Sequence, residues 1–165
     1  MRILGIDPGT NIIGWGIIEK LENKKIIPIA YSSIIIGKKN SFGEKLEIIF
    51  DNLNKIVSVY KPNIAAVEEL FFVNNIKTGI SVSHARGVIL LALKKMNIET
   101  FEYKPLEIKQ AVAGYGRADK KQVQAMVKNI LKLSEVPKPD DTADALAVAL
   151  CHESSMKLKK ILLKK

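Results

Sequence analysis

Residues 2–10 read Arg2-Ile3-Leu4-Gly5-Ile6-Asp7-Pro8-Gly9-Thr10, an apolar run that ends on a carboxylate at a Pro-Gly turn signal. A short apolar run bounded by a turn is the pattern of a buried β-strand, here with an acid at its carboxyl end. Two more β-rich stretches follow. Ile12 to Glu19 contains Gly14 and Gly16, and Lys25 to Ile36 is rich in Ile, Tyr and Ser. The connections are short, so the three read as antiparallel neighbours.

The period then changes. Ser41 to Tyr60 places Leu46, Ile49, Phe50, Leu53, Ile56 and Val57 on one helical stripe; Ser41 with Glu44 fits a capping box, and Pro62 ends the segment. Ile64 to Glu69 reads as a buried strand, Asn75 to Lys95 as a long helix and Ile98 to Tyr103 as another strand. A short helix runs from near Pro105 to Ala113, and Gly114-Tyr115-Gly116 interrupts it. Asp119 caps a helix to Leu133, and a last helix begins near Asp140 after Pro137 and Pro139. The expected fold is α/β: one mixed five-stranded sheet, three antiparallel strands then two βα units, with helices on both faces. Right-handed crossovers put the fourth and fifth strands on the far side of the first.

At 165 residues, 47% hydrophobic and 26% charged, the chain has the size and composition of one globular domain with a true core. Apolar runs such as Val88 to Leu93 are far short of the roughly 20 residues of a membrane span. The start, Met1 to Asp7, lacks a signal-peptide pattern, and a single cysteine, Cys151, excludes an internal disulfide and a cysteine-rich zinc site. These features lead us to expect a cytoplasmic protein. The net charge of +9 needs discounting, because five lysines fall in the last ten residues, Met156 to Lys165. Without them the balance is +21 to −17, or +4, which permits a polyanionic partner without demanding one.

The acids are better placed than the bases. Asp7 ends the first strand, Glu68 and Glu69 end the fourth, and Asp141 and Asp144 share one face at the start of the last helix. Parallel neighbours would bring the first two together where the strand order reverses, which is where sites form in open α/β sheets. Taken singly, Asp7 reads equally as a turn residue and Asp140 and Asp141 as first-turn acids favoured by the helix dipole. Together they do not. Two like charges about 4 Å apart repel by roughly 4 kcal/mol at an effective dielectric near 20, so such a cluster needs cations or retained protons. Oxygen-only ligands select hard cations such as Mg²⁺ or Mn²⁺, and two such ions support in-line phosphoryl displacement. The cluster with its basic surroundings reads as a metal-dependent nuclease.

The chain resembles the RuvC family of Holliday-junction resolvases, of the RNase H-like superfamily. The resemblance rests on Ile6-Asp7-Pro8-Gly9-Thr10 with Gly14-Trp15-Gly16, then Val67-Glu68-Glu69-Leu70-Phe71, His84-Ala85-Arg86-Gly87, Lys109-Gln110-Ala111-Val112 with Gly114-Tyr115-Gly116, Lys120 to Gln124, and Asp141 to Ala147. These segments occur in family order and cover about residues 1–152. The resemblance implies a single RNase H-like nuclease domain over residues 1–155 and a Lys-rich C-terminal tail over 156–165. It implies an endonuclease that makes symmetrical paired nicks in four-way DNA junctions, in recombination and repair. Asp7, Glu68, Asp141 and Asp144 match the family's catalytic and metal-binding acids. Glu68 is preferred to Glu69 because it follows Ala-Val in the matching segment. Two Mg²⁺ per subunit are implied, with Mn²⁺ as a substitute.

Lys109, Lys120 and Phe71 match positions that meet DNA in the family, and Arg86 reads either as a backbone-phosphate contact or as a helix-surface charge. A lysine there neutralises phosphate, and an exposed ring stacks on a base. His84 and His152 read as structural. A homodimer is implied, with the apolar face of the 75–95 helix (Ile80, Val88, Leu91) as interface, and so is a branch-migration complex of the RuvA and RuvB type as partner. The tail reads as solvated, as a phosphate contact or as an extension of the last helix. Asp7-Pro8-Gly9-Thr10 is also similar to the phosphate loop of actin-like ATPases and sugar kinases, but those use two such domains and this chain has room for one. An RNA-directed binder of the same fold is the other alternative, against which the intact acidic quartet argues.

Overall fold

The computed structural model, which describes residues 1–70 and 76–162, places the opening strand at the centre of the molecule. Strand β1 (Arg2–Asp7) is flanked by β2 (Ile12–Lys20) and β4 (Ile64–Glu68) in a sheet of order β3-β2-β1-β4-β5, where β3 is Ile26–Ile35 and β5 is Glu99–Tyr103. β2 pairs antiparallel with β1 and β3, while β4 pairs parallel with β1 and β5. This is the expected mixed sheet, with β4 and β5 beyond β1. Its centre is buried on both sides, so Ile3, Leu4 and Ile6 are all fully enclosed. Pro28 is tolerated because β3 is an edge strand, where a missing donor costs no ladder bond.

Among the described residues, five helices cover the two faces. The helices α1 (Phe42–Tyr60) and α2 (Ile76–Lys95) pack on Leu4, Ile6, Ile13, Trp15, Ile17 and Val67. The helices α3 (Pro105–Ala113), α4 (Lys120–Leu131) and α5 (Asp140–Leu162) pack on the other face, over Ile3, Ile18, Ala66 and Tyr103. Helix starts follow the expected caps. Ser41 and Glu44 form a reciprocal capping box, as do Asp119 and Gln122. α5 continues through Met156 to Leu162, so its helical backbone runs across the boundary at residue 155.

The closest packing is between α5 and the sheet. A Cβ on Gly5 would collide with the Ala145 carbonyl oxygen and lie 2.7 Å from the Ala149 nitrogen. One on Gly14 would collide with the Asp141 carbonyl, and one on Gly16 would lie 2.6 Å from Leu146 Cδ2. The three bare positions sit on one face because strand side chains alternate. The facing residues of α5 are mostly small, with Ala143, Ala145, Ala147 and Ala149 all fully buried.

Gly5→Ala should therefore overpack this seam and cost at least about 1–3 kcal/mol. The check is the urea midpoint, which should fall with an unchanged slope. Gly43→Ala, on α1 with open space around it, should not lower the midpoint; equal losses in both variants would show that the seam is not tight.

Candidate active site

The β1–β4 register pairs Ile6 with Val67, so Asp7 and Glu68 leave the sheet side by side at the carboxyl ends of two parallel strands. Alternation turns both toward α5, on the face shared with Gly5 and Ala66. Glu69 is one residue further and turns the other way; its N–H donates to the Tyr103 carbonyl at 2.8 Å and extends the β4–β5 ladder. Pleat parity thus separates two adjacent glutamates. The Gly14 seam fixes the first turn of α5, and Thr142, buried there, hydrogen-bonds Ser33 of β3 at 3.3 Å. Asp141 and Asp144 are brought into electrostatic range of Asp7 by that turn.

The electrostatics are those of a crowded anionic site. Asp7 is raised well above the usual carboxylate range, first by burial, then by the Glu68 charge, the Asp144 charge, a hydrogen bond to Glu68 and the Asp141 charge. Glu68 is also raised, chiefly by burial; its hydrogen bond with Asp7 and the Lys109 and Lys120 charges partly offset this. The two carboxyls titrate as a pair, both raised, and Asp7 the more so because it is the more deeply buried. Asp144 is raised by burial, with Lys120 opposing the shift. Lys120 is pulled down by burial, but Asp144 and then Asp140 outweigh this and raise it.

Lys120 lies 3.0 Å from Asp144 and 3.5 Å from Asp140. With Lys109 it lines a cavity of about 220 Å³ that also presents Glu68, Asp144, Ile108 and Val123. Sequence reasoning overlooked Asp140 as a partner of Lys120; its only signal is adjacency to Asp141. Arg86 lies elsewhere. It projects from α2 on the opposite layer and is ion-paired with Glu102 of β5. Phe71 lies outside the described residues. His84 is an exposed residue edge-on to Phe42, and His152 is buried with its Nδ1 2.8 Å from the Tyr103 hydroxyl. Neither imidazole is among the groups that shift the acids.

Among the described residues, no three acidic, His or Cys side chains converge tightly enough to hold one ion as they stand. Asp144 is turned to Lys120, 3.0 Å away, and Asp7 and Glu68 are within hydrogen-bonding range of each other. The donor set nevertheless suits a divalent cation. It is all oxygen, carries four carboxylates, and is destabilised by its own repulsion. A cation between these carboxylates would relieve that repulsion.

Comparison with known proteins identifies the family. A model of the RuvC family, described as crossover junction endodeoxyribonuclease RuvC, matches residues 3–152. The crossover junction endodeoxyribonuclease RuvC of Finegoldia magna is 51% identical over 159 residues, covering 96% of each chain. Among solved structures, Thermus thermophilus RuvC in complex with a Holliday junction superposes with a TM-score of 0.90 at 31% identity, covering 96% of each chain. The yeast mitochondrial resolvase Ydc2, at 16% identity and a TM-score of 0.70, shares the fold.

The raised Asp7 has a consequence for stability. A carboxyl raised on folding contributes stability that is full below its unfolded value near 3.9 and is lost as pH rises through the folded value. At pH 7 without divalent ions, Asp7→Asn should therefore melt higher than wild type, by roughly 2–4 °C for each kcal/mol of repulsion removed. The gap should close toward pH 4. Equal melting temperatures at pH 7 would show that Asp7 carries no buried repulsion.

Proposed function

Because the chain belongs to the RuvC family of crossover junction endodeoxyribonucleases, we infer that it resolves four-way (Holliday) DNA junctions by hydrolysing phosphodiester bonds, and that Asp7, Glu68, Asp141 and Asp144 carry the reaction. The observation that most supports this assignment is the placement of Asp7 and Glu68 side by side at the ends of two parallel strands, with Glu68 lining one cavity together with Asp144, Lys109 and Lys120. The family is divalent-metal-dependent; two Mg²⁺ per subunit, with Mn²⁺ as a substitute, fit the all-oxygen donors. Bound there, such cations supply Lewis-acid activation of water and neutralise the scissile phosphate.

The chain's own groups do the rest. Because burial and its anionic neighbours raise Asp7, a cation held by the four acids would favour its ionised form, which links metal binding to pH. Lys109 and Lys120 set ammonium groups on the cavity wall, where phosphate charge grows in the transition state. Ile108 and Val123 make part of that wall apolar and so strengthen those charges. Hydrolysis leaves 5′-phosphate and 3′-hydroxyl ends. Phe71 remains a proposed DNA contact; Arg86, tied to Glu102, is the weaker candidate.

A homodimer completes the reading. Ile80 is 51% and Leu91 56% exposed, close for large apolar residues on one helix, and the half-exposed Phe42 ring meets His84 beside them. Val88, by contrast, packs against its own subunit's core. Two-fold pairing through α2 presents two identical acidic clusters, so paired nicks follow from symmetry. Among the described residues no helix is long and apolar enough to cross a membrane. With one free buried thiol, Cys151, the reducing cytoplasm is the fitting place, and a branch-migration complex of the RuvA and RuvB type is the fitting partner.

Two measurements test the proposal. On a synthetic junction with Mg²⁺, wild type should make paired symmetrical nicks and spare linear duplex, whereas Asp7→Asn should bind and not cut. Metal-dependent cutting by that variant would refute the assignment of Asp7. Ile80→Lys with Leu91→Lys should sediment as a monomer and lose the pairing of the nicks; a persistent dimer would move the interface off α2.

A further inference from the structure

On the far side of the sheet from the acidic cluster, the turn after β1 closes against the N-terminal halves of α1 and α2 around a second cavity, of about 310 Å³. Its polar lining is Thr10, Asn11, Lys45, Thr78 and Ser81, and no carboxylate lines it. Lys45 is half-buried, and its Nζ donates to Asn11 Oδ1 at 3.0 Å. Among the described residues no acid pairs with it. The neighbouring Glu44 is committed to the α1 cap, where it accepts from the Ser41 N–H at 2.6 Å. A neutral amide holds this ammonium in place and leaves its charge uncompensated. Hydroxyls with one fixed cation suit an anion with several acceptor oxygens.

We propose that this cavity is a second phosphodiester-binding subsite, in which Lys45 neutralises a backbone phosphate of the bound junction a few nucleotides from the one being cut. The inference rests on the junction-nuclease reading. Its geometric basis is the turn itself. Asp7 and Asn11 are four residues apart, so their backbones are at most about 14 Å apart. Asp7 faces α5, while Asn11 and Lys45 border the α1–α2 side. A strand crossing the rim of the sheet above this turn meets the acids on one side and Lys45 on the other. Asn11 is the positioning residue, and Lys45 the binding one.

Junction binding is measured without divalent ions over a range of salt, with wild type, Lys45→Ala, Lys45→Arg and Asn11→Asp. The slope of log K against log[salt] should fall by about 0.9 in Lys45→Ala, as for one lost phosphate contact. Affinity should fall several-fold, and Lys45→Arg should restore both. Asn11→Asp puts a carboxylate where the amide stood and should reproduce the Lys45→Ala loss without removing the lysine. Unchanged slopes in Lys45→Ala and Asn11→Asp, with wild type still preferring junction to duplex, would overturn the subsite alone. A wild type with no junction preference would instead overturn the functional reading on which it rests. Exchanging chloride for inorganic phosphate at constant ionic strength should leave wild type unaffected. Competition by phosphate in wild type but not in Lys45→Ala would mark a free-phosphate site and overturn the proposal.

Discussion

The backbone of α5 rests directly on Gly5, Gly14 and Gly16, and the acidic cluster depends on that contact. No side chain larger than hydrogen fits at these positions, so the helix cannot rise from the sheet or slide along it without opening a gap or a clash. Asp141 and Asp144 inherit their places from the helix, and Asp7 and Glu68 from the two strands beneath it. Four acids scattered over the chain become neighbours because one helix is pressed against two strands. Ser33 and the buried Thr142 add a polar tie at the mouth of the seam.

That packing works against the electrostatics it creates. Burial and mutual repulsion raise Asp7, Glu68 and Asp144 together, and Lys120 is the main compensating charge. Only part of the cluster can be ionised at once in the bare protein, so the fold holds it in a state that favours cations. The hydrophobic seam supplies what the charges oppose: Ile3, Leu146, Val148 and their neighbours are fully buried around it. Stability comes from the layers and is given up locally at the site, as is common where chemistry is done.

Much of this was legible in the residues. The apolar run to Asp7, the Ser41–Glu44 box and the acids at strand ends each have a local cause, so each could be read without coordinates. Gly14-Trp15-Gly16 carried a signal as well, since two glycines two apart leave one strand face bare. Features set by distant pairings were not readable. Arg86, readable either as a phosphate contact or as a helix-surface charge, is ion-paired with Glu102 of β5, a partner that no spacing on α2 reveals. The Asp140–Lys120 contact joins two helix starts separated by a whole helix and its following loop. Val88 looked like part of an interface because periodicity marks an apolar face without saying which body covers it.

Strand β1 presents Leu4 and Ile6 to one helical layer, and Ile3, Gly5 and Asp7 to the other. The same parity divides the molecule, with the proposed subunit-pairing helix on one side and the acids proposed as catalytic on the other. Its apolar members can exchange for others of similar volume, because each layer asks only for a filled space. Its length has no such latitude. Removing or adding one residue between Arg2 and Asp7 would invert every side chain beyond the change, turning the acid toward α2 and a bulky residue onto α5. The segment tolerates exchange of its apolar members but not a change in their number.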